Sequence, residues 1–186
     1  MKHEMKESGL IGGIERREIE IADYDLLWSD VFHKHATLMT RVLGIAAWQI
    51  EHIGSTSVPG LGAKPIVDVL LVVEDSAVES SYRTRLEKAG YQLRVCEPDF
   101  HEHRMFRTLK RDVHVHVYSI NCPEIQWHLT FRNRLRTNPA ERRLYEQAKR
   151  TLAQQEWTDM NAYAEDKSDI IEHIIGAAQA AGETDG

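Results

Sequence analysis

Residues 51–73 read EHIGSTSVPGLGAKPIVDVLLVV, a turn of small residues, then a lysine, then an aliphatic run that carries a single carboxylate. Backbone N–H groups around Gly54, with the hydroxyls of Ser55, Thr56 and Ser57 beside them, can form a nest for phosphate oxygens. A plain turn rich in small residues would give the same letters. Asp68 is the sharper signal, because Ile66, Val67, Val69, Leu70 and Leu71 surround it with low-dielectric strand. An unpaired charge there is strongly unfavourable. Its partner is a metal ion, Lys64, a histidine or backbone donors, unless it protrudes at a strand edge; a buried pair with no ligand fits the same residues.

Histidines supply the second signal. The chain has ten, and His101, His103, His114, His116 and His128 fall within residues 101–128. In the run DVHVHVYS (112–119), period-two geometry puts Val113, Val115 and Val117 on one face and Asp112, His114, His116 and Tyr118 on the other. His114 and His116 can both reach a metal or a phosphate, with Asp68 or Asp112 completing the set; a solvated, hydrogen-bonded face is the alternative. His52 either enters the same pocket or packs beside it. His3, His33, His35 and His173 fall on termini and helices and are expected at the surface. Lys64, Arg104, Arg107, Arg132 and Arg136 offer a basic wall, in which Lys64, Arg104 and Arg132 are the expected phosphate contacts. Arg142, Arg143 and Arg150 are expected to be solvated. Cys96 and Cys122 stand in no spacing that suggests zinc or redox chemistry.

Hydrophobic periodicity predicts the elements that hold these residues. Strands are expected at 17–22, 48–53, 65–73, 91–95, 103–109 and 112–119. The run at 65–73 is aliphatic enough to be buried on both faces at a sheet centre. Helices are expected at 25–42, stopped by Gly44, and from Asp75 or Ser76 to Lys88, closed by Gly90. Three more follow: 123–136, one opened by Asn138-Pro139, and 158–175. The four tryptophans are expected as core or interface fillers. The result is an α/β (α+β) protein: a mixed sheet flanked by helices, with a helical C-terminal part. It forms one domain over 15–176, with loose ends at 1–14 and 177–186.

With 29 acidic against 23 basic side chains over 186 residues, the net charge of -6 disfavours bulk attraction to nucleic acid or anionic membrane. No apolar run has the 18 or more residues of a membrane span, and residues 1–13 lack a signal-peptide core. A cytoplasmic protein is expected, and its oligomeric state is not readable from these patterns.

The runs IEHIGSTSVPGLGAKPIVDV, HVHVYS, FRNRLRTNPAERRLYEQAKRTLA and YAEDKSDII together resemble the GrpB family, roughly from Ile19 to Ile175. That family is similar in fold to the nucleotidyltransferases. The resemblance implies a nucleotidyltransferase-like fold, a nucleotide or another phosphorylated small molecule as partner, a divalent metal (magnesium, manganese or zinc) as cofactor, and nucleotidyl transfer as activity. Gly54 and Ser55 match the superfamily's first element and Asp68 its first carboxylate. Leu70 stands where the second carboxylate belongs, and Asp112, His114 and His116 occupy the strand of the third. Imidazole beside one carboxylate suits zinc, manganese or iron better than magnesium. The implied metal set is Asp68, His114 and His116, with Asp68 and His116 as the catalytic pair. Gly54, Ser55, Thr56, Ser57, Lys64, Arg104, Arg132 and Lys149 are the implied phosphate and nucleotide contacts, Lys149 by way of the YEQAK segment. Lys167, in the final motif, is a second lysine of that kind. The other implied role is a non-catalytic nucleotide-binding accessory module, since some relatives are fused to a kinase domain of coenzyme A biosynthesis.

Overall fold

A computed structural model describes residues 9–13, 20–154 and 168–182. Its framework is a five-stranded sheet: β1 (Gln49–Ile53), β2 (Val67–Val73), β3 (Tyr91–Glu97), β4 (His103–Thr108) and β5 (Val113–Ser119), in the order β1-β2-β5-β4-β3. β2 runs parallel to β5 and every other pairing is antiparallel, so the sheet is mixed, as expected. The aliphatic run does become a central strand, with Val69, Leu70 and Leu71 wholly buried. It starts at Val67, two residues later than predicted, after Pro65 has left the ladder without a donor there.

Helices α1 (Leu27–Leu43) and α2 (Arg83–Lys88) cover one face, where Trp28, Met39, Leu43 and Leu86 meet Val67, Val69, Leu71, Val113, Val115 and Val117. Gly44 ends α1 as predicted, at a φ of 56° that favours glycine, with its N–H on the Thr40 carbonyl. α3 (Pro123–Thr137) lies on the other face, its Leu129 in a smaller cluster with Ile53, Leu70, Val72 and Tyr118. α4 (Pro139–Ala153) and α5 (Ser168–Ala180) then join α3 around Phe131, Leu135, Tyr145, Ile174 and Ile175. Val58 and Leu61, from the loop after β1, enter that same cluster, so the helical part is packed onto the small-residue turn. The Asn138 side chain caps α4 by accepting from Ala140 and Glu141, each at 3.1 Å.

The second predicted helix starts later than Asp75 or Ser76. The Ser76 amide donates to Ser119 Oγ, and its carbonyl accepts from the Tyr82 hydroxyl at 2.6 Å, which holds the segment as a turn. Asp75 caps only the Ala77 amide. β3 extends to Glu97, two residues past the prediction, across a register shift between Leu93 and Val95. Of the expected 17–22 strand, residues 17–19 lie outside the described set, while Ala22 forms an isolated antiparallel bridge to Ala63. The first ten residues of the expected 158–175 helix, Lys167 among them, also lie outside it. α5 continues through Ala180, past the expected helix end at 175 and into the expected C-terminal tail, with Ala178 fully buried. Leu10 bridges Val95, so residues within the expected N-terminal tail are seated against β3. Trp28 is core, whereas Trp48 is 62% exposed. No described helix is long and apolar enough to cross a membrane.

Candidate functional site

The parallel register sets Asp68 beside His114 and Leu70 beside His116, and all four project from the face that α3 covers. Asp68 Oδ1 lies 3.7 Å from His114 Nδ1 and 3.6 Å from His116 Nε2, with all three side chains 23–29% exposed. One ligand atom from each falls within 4.8 Å of the others, the only such group of three or more metal-binding side chains among the described residues. Gly54 closes one side: a Cβ there would meet Asp68 Oδ2 at 2.5 Å, and its φ is 69°. The glycine of the turn is therefore required twice, by close approach and by backbone conformation.

Burial acts to raise the Asp68 carboxyl, but the proximity of His116, then the charges of His114 and His128, outweigh it and hold it below its ordinary range. The carboxylate faces two imidazole nitrogens.

Two further histidines complete the arrangement, and neither stood out in the sequence as a ligand. His103 Nδ1 lies 2.7 Å from Glu97 Oε2, and His103 Nε2 lies 3.1 Å from His116 Nδ1. Burial lowers the His103 imidazole despite Glu97. His128 comes down from α3, its ring centroid 6.0 Å from that of His116 and 5.9 Å from that of Tyr118. Its Nε2 is buried without a hydrogen-bond partner, and burial pushes its pKa down to about 3. The available signal was helical phase. His128, Arg132 and Arg136 recur every four residues and so form one stripe on α3.

That stripe follows the end of β1. Arg132 donates to Glu51 Oε2 at 2.7 Å and to the His52 carbonyl at 3.0 Å. Arg136 donates twice to the Ser57 carbonyl, at 3.0 and 2.7 Å. Arg132 is therefore on the cluster's side of the sheet, engaged with the strand that leads into the turn. The turn, Ser55–Ser57, is a single 3-10 turn. Ser57 Oγ donates to the Gly54 carbonyl at 2.6 Å, and Thr56 Oγ1 pairs with His52 Nε2 at 3.1 Å, so both hydroxyls serve the turn itself. Ser55 stays partly exposed at its start, and Lys64 is partly exposed ahead of β2.

Three residues lie elsewhere. Arg104 shares the α1/α2 face with Phe106 and is held by Glu79 at 2.7 Å and Glu102 at 3.1 Å. Lys149 is buried on α4, donates to the Gly62 carbonyl at 2.6 Å and sits over the Tyr145 ring. His52 points away from Asp68 and stacks on Phe32, 4.8 Å between centroids. The structure thus gathers Gly54, Ser55, Asp68, His114 and His116, places Arg132 beside them, and gives Arg104 and Lys149 partners outside the cluster.

The family model described as GrpB protein matches residues 18–177. The UPF0157 protein SCO7215 of Streptomyces coelicolor is 48% identical over 172 residues, covering 92% of this chain and 90% of that protein. A crystal structure of the conserved protein GrpB from Enterococcus faecalis aligns at a TM-score of 0.72 and 33% identity, over 85% of this chain and 98% of that one. More remotely, the dephospho-CoA kinase of Mycobacterium leprae is 26% identical over 77% of this chain and 42% of its own length. The RNA terminal uridylyl transferase Cid1 aligns at a TM-score of 0.45 and 14% identity, over 70% of this chain and 44% of that one, a likeness in the layout of sheet and helices alone.

Proposed function

Because the chain belongs to the GrpB family, we propose that it binds one divalent ion at Asp68, His114 and His116, together with a nucleotide or other phosphorylated small molecule at the Gly54-Ser55 turn. The observation that carries this reading is the spacing of the cluster, 3.6 and 3.7 Å from the Asp68 oxygen to two imidazole nitrogens. Neither is a hydrogen-bond distance. Both are close to the edge of a four-coordinate site, about 3.4 Å for donors about 2.1 Å from the ion. Two imidazoles and one carboxylate suit zinc, manganese or iron more than magnesium.

Leu70 supports one ion in place of two, since its side chain is fully buried against Leu129 where a second carboxylate would have to project. Asp68, His114 and His116 would hold the ion, and its chemistry there would be to polarise a phosphoryl group. Ser55 and the adjoining backbone would hold the remaining oxygens, and Arg132 would set the entrance through Glu51. In nucleotidyl transfer Asp68 anchors the ion, and His116 is either its ligand or the general base. The second reading is a non-catalytic nucleotide-binding module. Leu70 favours it as well, and the match to part of a dephospho-CoA kinase turns it toward adenine nucleotides and coenzyme A precursors.

Thermal unfolding with each nucleoside triphosphate or coenzyme A precursor, in EDTA or with magnesium, manganese or zinc, tests both. A ligand at 100 times its dissociation constant adds about 2.7 kcal/mol. The expected result is a nucleotide shift that requires manganese or zinc and disappears in Asp68→Asn. A shift that ignores metal selects the binding module, and no shift with any of them overturns the phosphorylated-ligand reading.

A further inference from the structure

We infer that Glu97 and His103 are positioning residues: they hold His116 in the tautomer whose Nε2 lone pair faces Asp68, and so select an ion that takes imidazole ligands. The inference rests on the metal reading above and deepens it. A carboxylate only accepts, so the proton in the 2.7 Å contact between Glu97 Oε2 and His103 Nδ1 belongs to His103. A neutral imidazole has one such proton, which leaves His103 Nε2 as an acceptor. The 3.1 Å contact to His116 is therefore donated by His116 Nδ1. His116 Nε2 is left with a lone pair, facing an Asp68 oxygen 3.6 Å away. Two acceptor atoms facing each other at that separation can share a cation between them.

The geometry of the chain is tight where this depends on it. The His103 and His116 rings are nearly parallel, 9° between planes with centroids 5.3 Å apart, a disposition that admits an N–H to N bond between them. Tyr118 stacks on His103 at 4.8 Å and 19°, which fixes the ring from the side. The His103 side chain is 8% exposed and that of Glu97 14%, so water competes little for either bond. Strand pairing supplies the reach: Glu97 lies opposite His103 across β3 and β4, and Met105, two residues along from His103, lies opposite His116. Hydrogen-bond partners set the tautomer and basicity of metal-bound histidines, and their loss typically weakens metal affinity about 10- to 100-fold; His103 is that partner here and Glu97 orients it. Magnesium gains nothing from the arrangement, because it prefers oxygen ligands and keeps its water.

Two measurements decide it. Long-range 1H–15N spectra of metal-free protein report which nitrogen of His116 carries the proton. Nδ1 is expected, and protonated Nε2 overturns the inference. Cobalt(II) is then titrated, followed by its visible d–d bands, into wild type, Glu97→Leu, His103→Leu and His103→Gln, each checked for folding by thermal unfolding. Glutamine at 103 can donate to Glu97 and accept from His116, so it should retain near-wild-type affinity, whereas Glu97→Leu and His103→Leu should bind about 10- to 100-fold more weakly. Equal affinity in all four proteins overturns the positioning role while leaving the metal site standing. Wild type that binds no cobalt overturns the metal reading and the ion selection with it.

Discussion

β2 and β5 present two faces built from alternate residues of the same two segments. On one, Val69, Leu71, Val113, Val115 and Val117 are all fully buried against α1 and α2. On the other, Asp68, His114 and His116 remain about a quarter exposed beneath α3. A parallel pair at a sheet centre is usually apolar on both sides, and here one side has been given over to polar groups. The difference separates two sets by parity alone: one set of residues carries stability, the next set along forms the proposed site. Leu70 marks the boundary, polar by position and apolar by type.

The sharpest way to break that separation is Leu71→Ala. It removes a fully buried side chain from the aliphatic face and should lower the unfolding free energy in urea by about 2–5 kcal/mol. Metal affinity per folded molecule should not change; a parallel loss would mean the faces are coupled.

A smaller effect is expected at His52, the one imidazole on β1 that faces the aliphatic layer. Burial, more than the opposing pull of Asp68, lowers its pKa from the ordinary 6.5 to about 4, so the folded state holds it neutral. Its contribution is fully present above pH 6.5 and is lost as pH falls toward 4, at about 1.4 kcal/mol per unit. His52→Phe keeps the ring on Phe32 and removes the proton site. Urea titrations across that window should show a shallower acid limb by up to about 3 kcal/mol, and an unchanged limb would assign the acid sensitivity to other groups.

The smallest effect belongs to Asn138→Ala, outside both faces. Loss of its two bonds to the α4 amides should cost about 1 kcal/mol and leave ligand binding untouched. Any change in metal affinity would show that the helical part transmits strain to the turn it packs against.

Strand alternation makes the two faces legible in the sequence: the parity of Asp68, His114 and His116 follows from period two, and the central place of β2 from its aliphatic run. Arg104 shows what was available but weak. It shares parity with Phe106, the apolar anchor of a strand that otherwise reads HRMFRT, and that parity turns it to the core. Glu97 and His103 were not legible as partners. Their meeting depends on β3 running on to Glu97 past a register shift, and no local pattern predicts how long an edge strand stays paired. Lys149 looked available by charge, yet a lysine can bury its stem and end on a carbonyl, as this one does at Gly62. His52 was undecided until the register of β1 fixed its side.

The parallel join between β2 and β5 has a kinetic consequence. The meander β3-β4-β5 pairs neighbours in the chain, but β5 reaches β2 only across everything between them, a closure that long-range topology makes slow. Asp68 meets His114 and His116 only when that closure is made, so the cluster belongs to the late stages of assembly. A cation bound there, as proposed, would be a clasp on the last seam to form: it would act chiefly on how slowly the protein comes apart, and little on how fast it folds.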